Sequence, residues 1–262
     1  MNFNKIITYS IILFLGYGII QFVPTGGIEL SIPVIYESSE IFWFNVPLSM
    51  VIDLIFAPPF IIIMFYYIHK AITEQPLTSQ PSMKKKDIIK FLLFAAGVVL
   101  VAGVIMHAVA NEMNGILGNP KPPTTALQIA VYYFDEVLGH KLIHFGIAAF
   151  LIGGIITQYW HQKDPQLSRF ELFGLYFWPS GIGIVYALAL IEGQAGFDFL
   201  VISVVLIAII LYYIKFKGLI LKDNIFTYFV LIYLISTVIS IVLYGVITGF
   251  KPGYPFFYQL SE

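Results

Sequence analysis

Seven runs of mostly apolar residues, each long enough to cross a lipid bilayer, set the limits on what this chain can fold into. They cover residues 6–23, 46–68, 88–110, 127–159, 172–191, 199–216 and 225–248. About twenty such residues span a hydrocarbon core roughly 30 Å thick. Only helices and closed barrels satisfy their own backbone polar groups there. Runs of this length predict an all-α, polytopic integral membrane protein, a single seven-helix bundle over residues 1–262. Composition agrees. Charged residues make up 11% of the chain, less than half the usual ~25%, which excludes a soluble globule and a disordered tail. A net charge of −1 leaves nothing to neutralise a run of phosphates, so no nucleic-acid partner is expected. The absence of Cys removes disulfides, iron–sulfur clusters, thiolate metal sites and cysteine nucleophiles.

The first run begins after a single Lys5 and ends in Gln21-Phe22-Val23-Pro24 rather than a small-residue cleavage site. It is read as a retained helix, not a signal peptide. Basic residues then orient the bundle. Lys5, Lys70, Lys84, Lys85, Lys86, Lys90, Lys163, Arg169, Lys215, Lys217 and Lys222 fall on one side, and only Lys121 and Lys251 on the other. The N-terminus is therefore expected in the cytoplasm and the C-terminus outside, in a multi-pass plasma-membrane protein. The connection 70–87 reads as a topogenic, lipid-facing linker. In the outer segment 26–44, residues 29–36 suit a short extended piece, and Phe42-Trp43-Phe44 an interfacial aromatic anchor. No internal repeat supports an inverted-repeat transporter.

Ionisable groups inside spans are costly and by default mark a site. Asp53 lies in the second run, His107 and Asn111 at the end of the third, and Glu192 at the end of the fifth. The fourth carries Tyr132, Asp135, Glu136, His140, Lys141 and His144. Tyr132, Glu136, His140 and His144 are four apart and share one helix face. The fourth run is too long for the bilayer, and its excess is expected to project outward. Four helices then present ionisable groups at one level of the outer leaflet.

Two His four apart plus a third from another helix suit a divalent metal with a position left for water, zinc first, iron or manganese as alternatives. His140 and His144 would supply the pair and His107 the third ligand, with Asp53 or Glu136 as an alternative oxygen donor. Bound water would then titrate near ~7, with Glu136, Asp135 or Glu192 as general base. Asn111 and Tyr132 would orient ligands or stabilise an oxyanion. Such a site fits a metal-dependent hydrolase acting on a lipid or other amphiphilic substrate, reached laterally from the membrane. Two other readings compete: a proton-coupled carrier using Asp53, His107, Glu136 and His140, and a non-catalytic subunit whose charges serve packing, for instance Asp53 with Lys141. Five His are too few for a desaturase-type di-iron centre. A retinal protein is excluded because the last run has no Lys for a Schiff base. His69 and His161, beside lysines at the cytoplasmic ends, read as interfacial.

Smaller signals concern shape. Pro58-Pro59 predicts a kink in the second run. The Trp178-Pro179-Ser180-Gly181-Ile182-Gly183 run is expected to loosen the fifth, and Ser236, Thr237 and Ser240 to bond carbonyls of their own helix. The combination of intramembrane His and Asp resembles seven-helix membrane hydrolases such as alkaline ceramidases. Their paired His lies in the last helix, whereas His140 and His144 lie in the fourth, so no residue role carries over. The His and Glu of small sterol isomerases are a similar likeness of chemistry only.

Overall fold

The fold is described from a computed structural model, which covers residues 4–22, 28–36, 40–118, 123–162 and 167–250. Helix α1 (Lys5–Phe22) leads to an antiparallel hairpin of β1 (Glu29–Tyr36) and β2 (Glu40–Pro47), paired from Glu29 opposite Pro47 to Tyr36 opposite Glu40. Then come α2 (Leu48–Ile55), α3 (Ala57–Thr73), α4 (Met83–Ile116) and α5 (Ala126–Tyr132). A π-helical turn (Tyr133–Gly139) joins α5 to α6 (His140–Trp160), followed by α7 (Arg169–Glu192), α8 (Gly196–Lys217) and α9 (Ile225–Thr248). Six helical stretches among the described residues are long and apolar enough to cross a membrane: Met50–Thr73, Met83–Ile116, Ala126–Trp160, Arg169–Ile191, Gly196–Phe216 and Ile225–Thr248. The first run is helical, but its described apolar stretch, Lys5–Tyr17, is shorter.

Several expectations need correction. The second run starts inside β2, because Val46 and Pro47 pair with the first strand. Its helix then breaks at Phe56, one residue ahead of Ala57-Pro58-Pro59. Proline lacks a backbone N–H and crowds the preceding turn; the break is confined to Phe56, which keeps a helical backbone and still donates to the Ile52 carbonyl. Residues 29–36 are extended as expected, whereas the side chains of Phe42, Trp43 and Phe44 lie outside the described set. Lys84, Lys85 and Lys86 do not sit in a linker. They form the first turn of α4, capped by Ser82. The Pro179 run does not open α7, which stays continuous.

Small residues set the helix spacing. A Cβ on Gly103 would stand 2.7 Å from the backbone nitrogen of Ile143, and one on Gly139 would stand 3.0 Å from the Cα of His107. Gly146 meets Leu100 and the carbonyl of Ala96 in the same way. Close approach through small residues is how helices associate in lipid, where no hydrophobic drive separates them from the solvent. α4 and α6 therefore meet backbone to backbone. Gly183 does the same for α7 and α9, since its Cβ would reach the Tyr233 carbonyl at 2.5 Å. Thr237 completes that seam. Its hydroxyl donates to the carbonyl of Tyr233 (2.9 Å), as expected, and to that of Gly183 across the helix pair (3.2 Å).

The basic ends of the helices are gathered at one pole. Lys5 pairs with Glu74 at 2.8 Å, and the Asn4 amide donates to Glu171. Thr78 and Ser79 donate to the Trp160 carbonyl. Gln158, fully buried, is the hub. Its amide donates to Gln75 Oε1 and to the His161 carbonyl (both 2.7 Å), and its oxygen accepts the Phe226 amide at 3.2 Å. Gln158→Leu leaves the buried Phe226 donor without this acceptor. An expected loss of about 2 kcal/mol is readable as a lower thermal midpoint in detergent; an unchanged midpoint would show that these bonds are dispensable.

Candidate functional site

The opposite pole carries the His/carboxylate cluster, and the α4–α6 seam builds it. Because Gly139 has no side chain, the two helices approach until the rings of His107 and His140 lie 4.3 Å apart. Gly193, in the turn between α7 and α8, makes room on the other side, where a Cβ would fall 2.6 Å from the His140 ring. The next residue, Gln194, takes a left-handed backbone (φ 50°). That conformation costs a non-glycine residue about 1 kcal/mol or more. It brings the Gln194 amide to the Tyr132 hydroxyl, donating at 2.5 Å. The turn closes over the cluster.

The π-helical turn decides which carboxylate faces which imidazole. In a regular α-helix, Glu136 would continue the stripe of Tyr132, His140 and His144. The wider turn, a feature that recurs at functional sites, instead buries Asp135 to 1% exposure and sets its Oδ1 2.8 Å from His107 Nδ1. The two atoms are offset from the line of the ring N–H and form no regular hydrogen bond, so the contact is a close electrostatic pair. Glu136 remains beside His140, Oε2 to Nδ1 3.9 Å, while the Glu136 backbone carbonyl is nearer at 3.3 Å. His144, one turn deeper, has Nδ1 2.6 Å from the Tyr186 hydroxyl of α7. Its Nε2 is buried and has no hydrogen-bond partner among the described residues.

The three imidazoles thus share a pattern. Each turns Nδ1 toward an oxygen: the Asp135 carboxylate, the Glu136 carbonyl and the Tyr186 hydroxyl. The Glu136 carbonyl can only accept, so it puts the proton on His140 Nδ1 and the lone pair on Nε2, whereas the Tyr186 hydroxyl can donate or accept and leaves the His144 tautomer open. Ring centroids run 4.3 Å from His107 to His140, 6.5 Å on to His144 and 5.1 Å to Tyr186. Tyr233 of α9 follows at 5.5 Å.

Seven of the nine candidate residues have described side chains. Six of those, Tyr132, Asp135, Glu136, His107, His140 and His144, come together. Asn111 does not: it is exposed, and the buried amide of α4 is Asn114, a turn farther on. The side chains of Asp53 and Glu192 lie outside the described set. Lys141 bonds Asp198 of α8 at 2.8 Å, while the side chain of Asp53, its other suggested partner, lies outside the described set. Sequence reasoning missed Tyr186 and Gln194, which had no spacing relative to the His stripe to single them out. Among the described residues, no three His, Asp or Glu side chains already converge on one metal position. The chain matches no protein-family model, no curated protein and no solved structure.

Proposed function

We propose that this chain is a seven-span membrane enzyme, N-terminus in the cytoplasm, C-terminus outside, in the plasma membrane. Its His/carboxylate cluster lies near the outer boundary of the bilayer and hydrolyses a lipid or other amphiphilic substrate entering laterally. From Ile88 to His107, α4 rises about 29 Å, and from Trp160 back to His140, α6 rises about 30 Å, at 1.5 Å per residue. Each distance equals one hydrocarbon thickness measured from the basic pole.

The observation that carries the reading is the common orientation of His107, His140 and His144, with Nδ1 toward oxygen in all three. With each Nδ1 carrying its proton, the three Nε2 lone pairs would be a donor set for one divalent ion, zinc before iron or manganese, with Asp53 as a further oxygen ligand. The orphaned, buried Nε2 of His144 fits such a ligand. The ion would supply an acidified water; Glu136, partly open beside His140, would take its proton, and Tyr132, held by Gln194, would donate to a developing oxyanion. Chelation would require the rings to turn toward a common point, since they do not converge on one position as they stand.

Elemental analysis of the purified protein tests this. About one transition-metal ion per chain is expected, absent from His140→Ala and His144→Ala; a stable wild-type protein free of metal overturns it. A second reading has its own support. The file of rings from His107 through His140, His144 and Tyr186 to Tyr233 leads inward and suits a proton path. Proton flux in proteoliposomes, abolished by His144→Ala, is the expected result of that reading, and absence of flux in the wild type ends it.

A further inference from the structure

Two apolar grooves flank α4 near the basic pole. The larger, about 690 Å³, lies toward α3 and has no lysine in its wall. The smaller, about 520 Å³, lies between α4, α6 and α8 and does. Its wall includes Ile89, Ile155 and Leu206, with Tyr159 and Trp160 toward the pole and Lys85 at the rim. Both its size and its apolar lining suit a small-molecule or lipid site. Along α6 the wall runs from Ile152 to Trp160, about 12 Å of helix rise. One leaflet of the hydrocarbon core is about 15 Å deep. The groove thus matches one acyl chain lying along the bundle.

The charge at its mouth names the headgroup. Lys84, Lys85 and Lys86 crowd the first turn of α4, where the positive end of the helix disfavours cations. No carboxylate lies within ion-pair distance of any of the three among the described residues. An anion relieves that repulsion. Moreover, the rim is fixed in advance: Ser82 caps the Lys85 amide, and the connection just before it is tied to the Trp160 carbonyl by Thr78. Aromatic rings beside lysine at the interface are the usual anchors for a lipid boundary, and basic pockets between spanning helices hold anionic headgroups.

We propose that this groove binds one anionic phospholipid from the leaflet at the basic pole, its phosphate on Lys85 and an acyl chain against Ile155 and Leu206. The site is separate from the His cluster and stands or falls without it. Trp160 in the wall is a built-in reporter. In full-length protein with Trp43→Phe and Trp178→Phe, reconstituted in phosphatidylcholine vesicles, acyl-brominated phosphatidylglycerol should quench Trp160 at about five-fold lower mole fraction than phosphatidylcholine brominated on the same chains. That is the effect of one lysine near an anionic group. Lys85→Gln should abolish the preference. Lys90→Gln removes the same charge about 140° around the helix and should leave it intact. Equal quenching by both lipids, or equal loss in the two lysine variants, overturns the proposal.

Discussion

A valine at Gly103 is expected to cost the protein about 3 kcal/mol, the upper end of ordinary overpacking, and to separate the imidazoles of the site. The position has no slack. The first carbon of any side chain would stand 2.7 Å from the Ile143 nitrogen, 2.9 Å from the Leu142 Cβ and 3.0 Å from the Gly139 carbonyl. Two of these three are backbone atoms, so no rotamer change relieves the clash and α4 must move away from α6. His107 lies one turn farther along α4 and moves with it. A lower thermal midpoint together with loss of any metal in the wild-type preparation is the expected pair of results. Gly97→Ala on the same helix is the control. Its Cβ would meet only side-chain carbons at 3.8 Å, an ordinary contact, and it should leave both readouts unchanged. Equal stability of the two variants would show that the seam is not what sets the helix spacing.

Asp135→Ala is the second large effect. Asp135 is almost wholly buried and lies against His107. Removing Asp135 takes away the buried member, while His107, 32% exposed, stays within reach of water, so the cost is that of a lost contact to a charged group, about 1.5–3 kcal/mol. The single variant should therefore lose about 2 kcal/mol in denaturation, and His107→Leu with Asp135→Leu should recover most of it. Metal content should follow the opposite logic. Loss of a carboxylate that orients a ligand histidine lowers metal affinity by about 10–100-fold, and the double variant, lacking the histidine itself, should not regain it. If the double variant binds metal like the wild type, His107 is not a ligand. If Asp135→Ala is as stable as the wild type, the pair has no structural weight.

The membrane architecture was legible because lipid admits few solutions. Apolar length alone located six of the spanning helices to within several residues at each end. Boundaries failed where local chemistry competes with apolarity: β2 takes Val46 because the hairpin pairs its backbone, and α4 takes the Lys triplet because Ser82 offers a cap. In the site, residues on a single helix were found from spacing, and so was the third imidazole, His107, from its position at the same depth. The exchange between Asp135 and Glu136 was not legible. A stripe counted at four residues assumes an α-helix throughout, and nothing in Tyr133-Phe134-Asp135-Glu136 announces a π turn. Gln194 and Tyr186 were equally invisible, since they reach the cluster from loops and helices far away in sequence. Asn111 was misplaced by counting four from His107, where the helix turns it outward.

The turn at Tyr133–Gly139 also says something about length. A π-helical turn holds more chain than an α-helical one in the same rise, so the stretch from the Thr125 cap to His140 contains slack. Within it, Asp135 stands beside His107 of α4 while Glu136 stays beside His140 of its own helix. Deleting Val137 or Leu138 would let the ladder close at regular spacing, with α5 and α6 still in line. One carboxylate would then be turned away from the pair, and the site would change its chemistry without losing a single named group.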